Sequence, residues 1–69
     1  MSDLATIPLS EQIECVRREI GMRHRVFPRW VQIGRITQAH ADHQIAAMEA
    51  VLATLEALRP AEPQQGALL

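Results

Sequence analysis

Apolar residues fall at helical spacing in two stretches of this chain. In the first, Leu9, Ile13, Val16, Ile20 and Phe27 recur three, four or seven residues apart, and Arg23 takes the skipped position. This near-heptad stripe predicts an amphipathic helix over residues 10–27. Ser10 offers an N-cap, and Glu11 and Glu14 put negative charge at the positive end of the helix dipole. Glu14 with Arg18 and Glu19 with Arg23 are acid-first pairs four residues apart, each worth roughly a few tenths of a kcal/mol. Pro28 lacks an N–H and disfavours the helical conformation at Phe27, so it ends or kinks this helix. A short helical turn can restart at Pro28, and Gly34 can adopt the left-handed conformation that closes it.

In the second stretch Ala41, Ile45, Met48, Leu52 and Leu55 alternate four and three apart, and Ala47, Val51 and Leu58 widen the stripe. Thr37 is the expected N-cap and Pro60 the stop, which gives a helix over residues 37–59. His40 stands where a complete capping box would have Glu or Gln. Residues 1–9 read as a flexible arm, residues 28–36 as the connection, and residues 60–69, rich in Pro, Gln and Gly, as a disordered tail. The expected fold is therefore all-α: an antiparallel two-helix hairpin with a kink or short extra turn near Pro28.

Length changes this picture. A chain of 69 residues forms one domain at most. At this size about 60% of the unfolded surface is buried, so a staple is usual. One cysteine, Cys15, excludes an internal disulfide, and the spacing of Cys and His offers no structural zinc site. The remaining staple is association. Both stripes are broader than one partner helix covers, so the hairpin is expected to pair into a helical bundle as a homo-oligomer. Ile13, Val16, Ile20, Ile45, Met48, Leu52 and Leu55 are the expected interface. No apolar run approaches the roughly 18 residues of a membrane span, and the N-terminus has no signal-like pattern. The expected compartment is the cytoplasm.

Charge is unevenly placed. The net value is −1, yet residues 17–35 carry Arg17, Arg18, Arg23, Arg25, Arg29 and Arg35 against Glu19 alone. The acids gather at both chain ends, so a hairpin has a basic tip. Arg23, Arg25, Arg29, Trp30 and Arg35 form the candidate anion- or partner-binding site. Guanidinium forks grip phosphate or carboxylate in two places, and Trp30 can stack a base or a cation. The alternative is a solvated face with intrahelical ion pairs, with Trp30 closing the core. His40 and His43 share a helix face near Asp42 but lack a third ligand, so no metal is expected. Cys15 reads as a packed or half-buried thiol, because His24 lies nine residues on and cannot reach it within one helix. With no phosphate loop, triad or carboxylate pair, no cofactor and no enzymatic activity are expected.

The segment Arg17 to Leu58 resembles a group of short proteins encoded by bacteriophages and prophages. The likeness rests on Phe27-Pro28-Arg29-Trp30-Val31, Gly34-Arg35-Ile36-Thr37 and Met48-Glu49-Ala50, set between an Arg-rich helix and an Ala-rich one. The resemblance implies an accessory phage protein acting in the bacterial host cytoplasm, possible roles including counter-defence by binding. Three functional readings stand side by side. One is a non-enzymatic binder of a host protein or a phosphate-bearing signal nucleotide. Another is a small nucleic-acid-binding module, which the net acidity disfavours. The third is a purely structural oligomerising hairpin.

Overall fold

The computed structural model describes residues 6–60. The expected arm at residues 1–5 and tail at 61–69 lie outside the described residues. Two helices pack against each other, α1 (Leu9–Gln32) and α2 (Gln38–Ala57), and no strand forms among the described residues. The antiparallel hairpin expected from the two stripes is the fold.

The ends of α1 differ from expectation. Its N-cap is Pro8, not Ser10, and no side chain caps it. The Pro8 carbonyl instead accepts from the N–H groups of Glu11 and Gln12 at 3.0 and 3.1 Å, and Gln12 Nε2 donates to the Ile7 carbonyl at 3.0 Å. A proline with extended ψ enters a helix readily, because its φ of −63° is already helical. Starting at Leu9 also brings an apolar residue into the stripe, which a start after Ser10 would forgo.

Pro28 does not end α1. The helix runs through it to Gln32. The lost hydrogen bond belongs to the His24 carbonyl, and both Pro28 and His24 lie on the exposed side. There the orphaned carbonyl meets water rather than core. The extra turn also carries Trp30 and Val31 into half-buried positions, so packing offsets part of the proline cost.

Closure of α1 falls where the sequence places it. Gly34 has φ +81°, the left-handed region that glycine enters without a Cβ clash. The Gly34 N–H donates to the Val31 carbonyl at 3.1 Å and the Arg35 N–H to the Trp30 carbonyl at 2.8 Å. This pair of bonds is a Schellman cap. Thr37 then caps α2, its Oγ1 accepting from the His40 N–H at 3.0 Å. The connection is thus only residues 33–37, shorter than expected because α1 took up its first part.

The core is small. Ile13, Phe27 and Ala41 are the buried apolar residues, at 2%, 8% and 2% exposure. Val16, Ile20, Ile45, Met48, Leu52 and Leu55 are half-buried. Ala41 is the point where small side chains let the helices approach Phe27 near the tip. Arg17 Nη2 meets Glu56 Oε2 at 2.6 Å and ties the helices toward the open end. Both partners are substantially exposed, so this pair fixes register more than it adds stability.

Candidate functional site: a divided arginine set

The hairpin separates the arginines that the sequence groups at one tip. Arg23 lies toward α2. Its Nε is 3.2 Å from Glu19 Oε2, its Nη1 donates to Gln44 Oε1 at 3.4 Å, and its guanidinium stands 5.8 Å from the Phe27 ring centre. The Phe27 and Trp30 rings are 5.5 Å apart and tilted by 35°. Arg35 covers the Trp30 ring at 5.0 Å. Four side chains therefore form a ladder, Arg23–Phe27–Trp30–Arg35, along one side of the tip.

Local structure explains the ladder. Residues 23, 27 and 30 are four and three apart, so they share one helix face. Arg35 joins them through the cap. A Schellman motif usually brings its C″ residue against the residue three before the helix end through an apolar contact. Here those positions are Arg35 and Trp30, and a cation–π contact replaces the apolar one.

Arg25 and Arg29 point elsewhere. They lie on the outer side of α1 with Cys15, Arg18 and Met22, at the spacing three, four, three, four. Among the described residues Arg18, Arg25 and Arg29 make no ion pair and no side-chain hydrogen bond. The expected Glu14–Arg18 pair is absent, while Glu19–Arg23 forms. Cys15, Arg18, Glu19, Met22 and Arg25 line a shallow depression on this ridge. Cys15 is exposed, not packed. In a two-helix hairpin each helix has one neighbour, and the far side of α1 has nothing to cover a thiol. Arg18 and Arg29 stand eleven positions apart on the helix, about 16 Å along the axis.

Two open grooves flank the seam between the helices. One is lined by Glu19, Met22, Val26, Trp30, His40 and Gln44 among others, the second by His24, Pro28, Gln38, Asp42, Ala46 and Glu49 among others. In the second, Gln38 Nε2 donates to Asp42 Oδ1 at 2.8 Å. His40 and His43 are both exposed. Among the described residues no group of three His, Cys, Asp or Glu side chains is placed to hold a metal ion.

The sequence grouped Arg23, Arg25, Arg29, Trp30 and Arg35 as one site, and the structure sets Arg25 and Arg29 on the outer side of α1 with Arg18, which that grouping left out. Its spacing of seven and eleven from Arg25 and Arg29 was the available signal. No helix among the described residues is long and apolar enough to cross a membrane. No protein-family model, curated protein or solved structure matches the chain.

Proposed function

We propose that this chain is a non-enzymatic accessory protein of phage type that binds an anionic partner through the outer ridge of α1. The partner class is a host protein surface rich in carboxylates or a phosphate-bearing signal nucleotide, met in the bacterial cytoplasm. One observation carries the reading: among the described residues, Arg18, Arg25 and Arg29 stand in a row without a side-chain acceptor. A structural arginine is normally consumed by a carboxylate, a carbonyl or a ring, as Arg17, Arg23 and Arg35 are. Guanidiniums left free at helical spacing present parallel forks to carboxylates or phosphates, which accept them in pairs.

The phage context rests on the resemblance of the segment Arg17 to Leu58. A role as a binder rather than a catalyst fits grooves that are shallow and carry no nucleophile beside a base. The test is capture of a partner from host lysate by the native chain, compared with the Arg25→Ala and Arg29→Ala forms. A partner retained equally by native and variant chains removes the ridge from the function.

A further inference from the structure

We infer that the groove side of the hairpin holding Met22, Val26 and Trp30 is the docking face for a second copy of this chain, set antiparallel so that the two tips lie at opposite ends of a four-helix bundle. The inference rests on the apolar surface and the charge layout and does not depend on the anion-binding reading.

The face is located as follows. Among the described residues four large apolar side chains stay exposed in the single hairpin: Met22 at 38%, Ile33 at 56%, Val51 at 44% and Leu58 at 64%. Met22 and Val26 on α1 and Ile33 at its C-cap are four and seven apart, so they share a side. Gln44 and Val51 on α2 and Leu58 at its C-cap are seven apart and share a side too. Met22, Val26 and Gln44 line the same groove, so both sides open in one direction. The opposite groove sets Gln38, Asp42 and Glu49 around Phe27, Ala41 and Ile45, and no large exposed apolar side chain among the described residues lines it. The large exposed apolar side chains therefore gather on one face.

A second copy is the occupant for two reasons. A core of three buried residues among those described leaves the fold dependent on its cover, and only the chain itself is present whenever the chain folds. The size also fits. α1 has 24 residues, so the face is roughly 36 Å long and about 20 Å wide, or about 700 Å² per copy. Twice that lies within the ~1,200–2,000 Å² of a stable interface.

Charge selects the orientation. The first turns of α1 hold Glu11 and Glu14, while its later turns hold Arg23, Arg25 and Arg29. An antiparallel second copy sets the acidic end of each α1 near the basic tip of the other, an attraction between ends that requires no side-chain pairing of Arg25 or Arg29. The alternative, with both tips at one end, crowds the arginines of two chains together. Because the arginines outnumber these acids, the outer ridge keeps its positive excess in the antiparallel pair.

The test uses the whole chain. Sedimentation equilibrium at micromolar concentration is expected to give the mass of two chains; a folded monomer, or a larger assembly, overturns the proposal. A spin label at Gln32→Cys in a Cys15→Ser background reports the orientation by pulsed electron resonance. The expected separation is roughly 36 Å or more, the length of α1; a separation under about 20 Å puts the tips together and overturns it. Val51→Asp, at a position open in the single hairpin, is expected to weaken pairing at least about tenfold, given the cost of burying an unpaired charge, while Glu49→Gln in the opposite groove leaves the mass unchanged. Native pairing by the Val51→Asp chain also overturns the proposal, and the label distance decides independently should that variant fold poorly.

Discussion

Arg23 and Arg29 lie on the same helix, six residues apart, and meet different fates. Arg23 is held by Glu19, Gln44 and the Phe27 ring. Arg29 is exposed, and its backbone carbonyl accepts from the Ile33 N–H at 3.0 Å. The same contrast separates Arg35, stacked on Trp30, from Arg18 and Arg25 on the outer ridge. Residue type is constant across the comparison, so within α1 the difference comes from helical phase, and at Arg35 from the cap that follows the helix. Arginines in phase with Phe27 and Trp30 serve the scaffold. Those about half a turn away face solvent and remain available. A high local density of positive charge is thus a poor guide to a binding surface until each cation's own partners are known.

The sharpest way to break the comparison is to remove the ring at the middle of the ladder. Phe27→Ala should cost about 3–5 kcal/mol, since Phe27 is buried and both neighbouring rungs lean on it. A thermal melt at fixed protein concentration reads this loss; a change below about 1 kcal/mol would show that the ladder is ornament on a fold held elsewhere.

The ridge side responds in a different quantity. Arg25→Ala and Arg29→Ala should each weaken partner binding by about 1.5–3 kcal/mol, the range of a charge-assisted hydrogen bond. Their melts should stay within about 0.5 kcal/mol of native. Isothermal titration beside circular dichroism separates the two. Loss of stability without loss of affinity would reverse the assignment of the two arginine sets.

Between these lies the cap that delivers Arg35 to the ladder. Gly34→Ala places a Cβ at φ +81° and should cost about 1–2 kcal/mol. Nothing stands within 4 Å of that Cβ, so the cost is conformational and not steric crowding. Denaturant unfolding with an unchanged midpoint would mean that the cap is not needed to hold the tip.

The smallest effect concerns the last rung. Arg35→Ala should cost about 0.5–1 kcal/mol, as expected for a cation–π contact at an exposed site. Arg35→Lys should recover part of it, because an ammonium also sits over the indole face. If both variants melt with the native chain and lose affinity, Arg35 belongs with the binding set after all.

Much of the hairpin was legible in the chain. The two stripes gave the helices, Gly34 gave the left-handed closure, and Thr37 gave the second cap, because each is a local property of spacing or of one residue's backbone freedom. The net charge of each segment was likewise a matter of counting. The tertiary structure decided what required knowing a neighbour. It carried α1 through Pro28, since the cost of one missing N–H is weighed against the packing of Trp30 and Val31. It left Cys15 exposed, because a helix with one neighbour cannot bury its far side. It divided the arginines, because helical phase relative to α2 determines which cation finds a ring or a carboxylate and which finds only water.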